Sequence, residues 1–340
     1  GLAIAVIRPD PGAKGGAILQ PAVLWICAIL SAVIIGFRSH IRPELATFLF
    51  IALLLFLFER VRMLEGKGRK SLFPRAAMIF SMLLWANLHI YFIFGIGMIG
   101  AFALERILEE RTISRLRMEC LWFAGTILAS SATPYGIKGF FYPFMIFSNY
   151  GLQITENMSP AGYFREMYNP MLFALPILSV ILAAALACRI WTFCAGCRRG
   201  SGFSMPAKFA DFPICLAALA AAWTMVRSVP LLALCAIPAI MFAAREMTER
   251  FNFSGLAVKR AVPLLIIPLL AFSLWLSWTV VEGSYSRIFP SPISPTPFGL
   301  DDDARYGGLR RLQSSSGLSG PVFNDYNIGS LVEYQLFPER

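Results

Sequence analysis

Charge is scarce in this chain. Only 15% of its 340 residues are Asp, Glu, Lys or Arg, against about a quarter in an ordinary soluble domain. By contrast 57% are hydrophobic and the mean hydropathy is +0.64. That balance excludes a single soluble domain, because so many apolar side chains cannot share one core. Histidine is scarcer still: His40 and His89 are the only two, which excludes a multi-histidine metal site. No Walker-type phosphate loop is present, which argues against ATP-driven pumping within the chain. Cys27, Cys120, Cys188, Cys194, Cys197, Cys215 and Cys235 lie in or beside apolar runs, so no disulfide framework is expected. Cys194-Ala195-Gly196-Cys197 has metal or redox spacing, but it lacks a second pair or a nearby His and reads as chance.

What is present is a series of apolar blocks, at 17–36, 44–58, 76–88, 91–104, 120–133, 170–188, 212–226, 230–244 and 262–281. They read as about nine transmembrane or half-spanning helices, given a hydrocarbon thickness of roughly 30 Å. The first run follows Arg8 and Lys14 and is too long for a signal peptide, so it reads as an anchor. Whether 76–104 and 212–244 are single long helices or paired short ones sets the side of every later loop. If both are paired, twenty of the thirty Lys and Arg fall in 1–16, 59–75, 105–119, 189–211 and 245–260, and ten fall in the other loops. The richer set is then cytoplasmic. The N-terminus is expected on the cytoplasmic side of the plasma (bacterial inner) membrane, and the C-terminus outside. The net charge of +10 and pI near 9.5 are accounted for by these loops, and no nucleic-acid partner is implied.

The paired segments are short. Residues 76–88 would rise only about 20 Å as a helix, so the turns at His89-Ile90-Tyr91 and Arg227-Ser228-Val229-Pro230 are expected to line a cavity open to the outside. The outward set gathers Arg38, His40, Arg42, Asn87, His89, Tyr135, Glu156, Asn157, Arg165, Glu166 and Arg227. Ionisable groups at such depth mark substrate paths, and guanidinium groups bind phosphate bidentately, so membrane lipid is the implied partner. Arg38 and Arg42 also suit snorkelling at a helix end. His89 also suits a satisfied polar residue between helices, and Glu156 a solvated loop acid. Gly95, Gly97 and Gly100 suggest close helix packing.

Residues 1–281 read as a transmembrane helical domain and 282–340 as an exterior region. After Glu282 the composition turns to Ser, Pro, Gly and Asp, and Pro290, Pro292, Pro295 and Pro297 forbid a long helix. The alternation around Asn327-Ile328-Gly329 predicts strands in a small α/β segment. The chain opens on Gly and stops soon after this segment, so both ends are expected to have been cut from something longer.

Three stretches taken together carry a resemblance: Arg42-Pro43 leading into Thr47-Phe48-Leu49-Phe50, then Leu84-Trp85-Ala86-Asn87-Leu88-His89, then Val322-Phe323-Asn324-Asp325-Tyr326-Asn327-Ile328-Gly329. Thr133-Pro134-Tyr135-Gly136 and the segment from Glu156 to Pro160 fit the same order. The chain resembles bacterial multi-spanning proteins similar to GT-C glycosyltransferases, the polyprenyl-phosphate-sugar-dependent, dolichyl-phosphate-mannose-mannosyltransferase-like kind. That resemblance implies a transferase passing a sugar from a polyprenyl-phosphate donor to an acceptor on the outer face. Arg38, Arg42 and Arg227 would hold phosphate, Asn87 and His89 would shape the site, and Glu156 is the acid or base candidate. No cofactor is implied, and the need for a divalent metal is left open. Two departures stand out: Ile90 follows His89 where the group has Gly, and the family's acidic residue of the first outward loop would lie upstream of Gly1. A lipid-linked sugar carrier or flippase, or a non-catalytic membrane scaffold, fits the same composition.

Overall fold

The computed structural model describes residues 16–36, 43–148, 155–167, 170–198 and 208–250, with Ile267, Ala271, Leu274, Trp275, Trp278, Thr279 and Glu282. Arg38, His40, Arg42, most of the last apolar run and the whole expected α/β segment lie outside the described residues. Contacts divide the chain into Gly1–Leu274 and Trp275–Arg340; the elements below belong to the first unit. They are helices: α1 Gly16–Gly36, α2 Glu44–Glu65, α3 Leu72–Leu88, α4 Phe92–Glu110, α5 Ile113–Ser131, α6 Gly136–Ser148, α7 Pro160–Met167, α8 Ala174–Arg198, α9 Asp211–Thr224 and α10 Val229–Arg250. Short 3-10 turns occupy Thr155–Asn157, Pro170–Phe173 and Val226–Ser228. No strand occurs among the described residues.

Apolar residues at helical spacing decide how these helices pack. Along α8, Leu175, Leu178, Leu182, Ala185 and Arg189 are buried, while Ile177, Val180 and Ile190 on the other face are exposed. The buried stripe meets α10, which also packs against α1, α9 and α2 and is the central helix. α3, α4 and α5 form a second group against α2. Among the described residues, Ala174–Ala195 and Val226–Thr248 are long and apolar enough to cross a membrane, and Ala22–Gly36, Leu72–Leu88 and Asp211–Thr224 are shorter apolar helices.

Both paired segments are hairpins. α3 and α4 reverse at His89-Ile90-Tyr91, and Gly95 lies so close to the facing helix that an added Cβ would meet the Trp85 ring at 2.5 Å and Met82 Sδ at 2.8 Å. A Cβ on Gly97 would meet open space. The turn needs no glycine after His89, because His89 takes an extended backbone (φ −156°, ψ 143°) and its N–H donates to Trp85 O at 3.0 Å. α9 and α10 reverse at Met225, also extended, and Cys215 Sγ meets the Cys235 carbonyl across the hairpin at 3.4 Å.

Two expectations need correction. The stretch between the blocks 120–133 and 170–188, counted above among the other loops, contains α6 and α7. The charged stretches 59–75 and 105–119 are not mainly loops either: α2 runs to Glu65, α3 starts at Leu72, α4 runs to Glu110 and α5 starts at Ile113. α3 is therefore 17 residues long, about 25 Å. The helices continue into charged sequence because their buried and half-buried charges meet partners on neighbouring helices. Arg62 donates through Nε and Nη2 to the two oxygens of Glu105, at 2.7 Å each, and Glu105 also accepts from the Ala210 N–H at 2.8 Å. Arg75 grips Glu119 at 2.7 and 2.8 Å. Glu65 accepts from Arg75 at 2.9 Å, Arg106 at 2.7 Å and Arg115 at 2.5 Å. Lys208 reaches Glu59 at 2.9 Å, and Arg189 lies 3.4 Å from Asp211 and over the Phe212 and Phe242 rings. Gln20 donates to Thr248 at 3.1 Å, joining the start of α1 to the end of α10. The stretches 59–75 and 105–119 and the described parts of 189–211 and 245–260 thus gather at one end of the helices.

Candidate functional site

The other ends of α2, α3, α4 and α10 carry a second polar cluster. Thr47, on the first turns of α2, and Trp85, near the end of α3, are fully buried. The Trp85 indole N–H donates to Thr47 Oγ1 at 3.0 Å, and that oxygen lies 2.8 Å from His89 Nδ1. Trp85 also stacks on Phe50, with ring centroids 5.5 Å apart. The side chain that ends α3 is therefore held from the start of α2.

Tyr91 and the Val226–Ser228 turn complete the cluster. The buried Tyr91 hydroxyl lies 3.0 Å from Ser228 Oγ, and the Arg227 guanidinium sits 5.6 Å above the Tyr91 ring, within range of a cation–π attraction. The His89 and Tyr91 rings meet edge to face at 4.9 Å. The Val226 N–H donates to Met158 O at 2.9 Å, which joins this turn to the Thr155–Asn157 turn. Asn157 Oδ1 is buried there without a hydrogen-bond partner among the described residues, so the joint offers an unfilled acceptor.

Of the residues singled out from sequence, the structure brings together His89, Arg227 and the segment bearing Glu156 and Asn157. Glu156 is half-buried on the turn that packs against Val226–Ser228. Asn87 points elsewhere: its Nδ2 donates to Leu83 O at 2.8 Å and Ala132 O at 3.1 Å, pinning the end of α3 to the end of α5. Tyr135, Arg165 and Glu166 are exposed.

One residue was missed. Glu44, the first residue of α2, stands one turn before Thr47 on the same helix face, and its charge acts on both His89 and Tyr91, as does that of Arg227. The sequence signal was the Glu44/Thr47 spacing. An acid in the first turn of a helix has an ordinary reading, compensation of the helix dipole, and that reading hides it.

The arrangement gathers the Arg227 guanidinium and the His89 imidazole around the Tyr91 ring, with the Glu44 carboxylate on the first turn of α2, a set suited to binding an oxyanion and moving a proton nearby. A hollow beside Arg75, Glu119 and Trp122 lies at the charged end and is not the outward cavity expected from the short segments. Among the described residues no group of three or more His, Cys, Asp or Glu is placed to hold a metal ion. Comparison of the chain with known families, curated proteins and solved structures returns no match.

Proposed function

We propose that the chain is a polytopic membrane glycosyltransferase of the GT-C kind, with about nine transmembrane or half-spanning helices, its N-terminus cytoplasmic and its C-terminal region outside. It transfers a sugar from a polyprenyl-phosphate donor to an acceptor hydroxyl at the outer face of a bacterial inner membrane. The observation that carries this reading is the gathering of His89 and Arg227 around the Tyr91 ring at the helix ends opposite the charged end, with Glu44 on the first turn of α2, one turn before the Thr47 that meets His89. The exposed apolar side chains on these helices support a bilayer: Leu121, Leu128, Val180 and Leu216 are all outward. The Lys- and Arg-rich ends lie together, as the cytoplasmic side requires.

In this reading Arg227 holds the donor phosphate and stabilises the charge it gains as it leaves. Glu44 takes the proton of the acceptor hydroxyl. The bond from the sugar anomeric carbon to the phosphate oxygen breaks, its electron pair staying on the polyprenyl phosphate, while the acceptor oxygen bonds to that carbon. Glu156 is the second carboxylate within the cluster and the competing candidate for base. Arg38 and Arg42 would add to phosphate binding. A carrier needs access from both sides, and opening the charged end would break the Arg62–Glu105 and Arg75–Glu119 pairs, which favours the enzyme.

The test is transfer itself. The full chain, reconstituted in vesicles with polyprenyl-phosphate-linked radiolabelled hexoses and a cell-envelope extract as acceptor, is expected to move label out of the lipid phase and release free polyprenyl phosphate. If the lipid-linked sugar instead crosses the bilayer with no bond broken, the protein is a carrier. No transfer and no crossing with any hexose leaves the scaffold reading.

A further inference from the structure

We infer that His89 is fixed as the neutral tautomer with its proton on Nε2, so that it offers a hydrogen-bond donor to an anionic ligand oxygen and does not act as a base. The argument is an accounting of donors along the chain Trp85–Thr47–His89. An indole N–H can only donate, so the 3.0 Å contact makes Thr47 Oγ1 an acceptor from Trp85. The hydroxyl still carries its own proton, and Thr47 is fully buried. A helical Thr often returns that proton to the carbonyl one turn earlier, as Thr126 does to Trp122 at 3.0 Å. Thr47 makes no such bond among the described residues; its remaining partner is His89 Nδ1 at 2.8 Å.

If Nδ1 carried a proton, Thr47 Oγ1 would receive two N–H groups while its own O–H stayed buried without an acceptor, which folded proteins avoid. The same holds for the imidazolium, which is protonated at both nitrogens. Nδ1 is therefore the acceptor, and the neutral ring must carry its proton on Nε2. The relay is rigid: Trp85 is clamped between the stacked Phe50 ring and Gly95. Nε2 sits on the far side of a half-buried ring, with no hydrogen-bond partner among the described residues, in the neighbourhood of Glu44 and Arg227. A fixed N–H beside a guanidinium recognises an oxyanion. The assignment of that oxyanion to a lipid phosphate rests on the transferase reading above; the tautomer does not.

Two histidines in the whole chain make the test direct. The full-length protein, prepared without a polyhistidine tag and with ring-15N, 13C histidine, is reconstituted in phosphatidylcholine vesicles, with His40→Gln leaving one imidazole. Solid-state NMR at pH 7 is expected to show one protonated nitrogen, assigned through the ring carbons to Nε2. Thr47→Ser is expected to keep that pattern and Thr47→Val to lose it. A proton on Nδ1, or on both nitrogens, in the protein with Thr47 intact overturns the inference whatever the variants do. Inorganic phosphate and a polyprenyl monophosphate are then added separately. A shift of the Nε2 signal with the lipid alone supports a lipid phosphate, and a shift with both supports oxyanion recognition in general. No shift with either, the tautomer holding, overturns the ligand half of the inference, while the transfer assay judges the transferase reading independently.

Discussion

Replacing Arg75 with Met asks whether the charged end is packed structure or a solvated fringe. Arg75 and Glu119 are 4% and 1% exposed, and they share two hydrogen bonds of 2.7 and 2.8 Å. Without Arg75, the Glu119 carboxylate keeps only Arg115, at 3.6 Å. Breaking a buried pair by removing one partner costs about 3–5 kcal/mol, because the remaining charge is left uncompensated, whereas a surface pair is worth about 0–1 kcal/mol. The expected cost is the larger figure, a factor of hundreds in the unfolding equilibrium. Arg75→Met/Glu119→Leu should recover much of it, since no lone charge remains. Equilibrium unfolding in mixed micelles with a rising fraction of dodecyl sulfate, followed by tryptophan fluorescence, measures Arg75→Met, Glu119→Leu and the double variant. A single-variant cost under about 1 kcal/mol, or a double variant equal to the sum of the singles, would falsify the picture of a packed ionic end.

Gly95→Ala places a Cβ 2.5 Å from the Trp85 ring, so it should destabilise by about 1–3 kcal/mol and disturb the His89 signal, while Gly97→Ala, facing open space, should change neither. Burial alone would raise the Glu65 carboxyl, but hydrogen bonds from Ser71, Arg75 and Arg106 outweigh it and hold the group at about 2, below its ordinary 4.5. The stability it contributes is therefore fully present above pH 4.5 and disappears as pH falls from 4.5 towards 2; Glu65→Gln should flatten that part of an unfolding profile against pH. Glu44→Gln should lower sugar transfer by about 10²–10⁴-fold, the range for a lost general base, and Glu156→Gln by much less; the reverse order would return the base to Glu156.

Apolar spacing located the helices but not their ends. The blocks at 44–58 and 91–104 stop where charge begins, yet α2 and α4 run on to Glu65 and Glu110. Hydropathy treats every charge as a reason to leave the apolar environment, and it cannot register that Arg62 and Glu105, 43 positions apart, satisfy each other. The sorting of loops by Lys and Arg content placed 59–75, 105–119 and 189–211 in one set, and the described parts of these stretches do meet, because that signal depends on which stretch holds the charge and not on what the charge touches. The same logic explains α6 and α7: short helices among exposed aromatic and polar residues have no long apolar period to reveal them.

At the site, the turns were legible and the contacts were not. A hairpin at His89 follows from two short apolar runs meeting at a polar residue, and the missing glycine raised a difficulty only because the turn after His89 was expected to need a left-handed backbone, which no residue of it adopts. The extended φ of His89 removes that difficulty. The importance of Thr47 was invisible by composition, since a Thr inside an apolar helix ordinarily satisfies itself on its own backbone. Here Trp85 occupies its oxygen and His89 accepts its proton, so three residues drawn from two separate stretches of the sequence form one unit. Glu44 then follows from helical geometry: once Thr47 is known to face His89, the residue three positions earlier lies on the same side of α2. A carboxylate that sequence position disguised as a helix-end charge thereby joins the end of α2 whose Thr47 holds the imidazole.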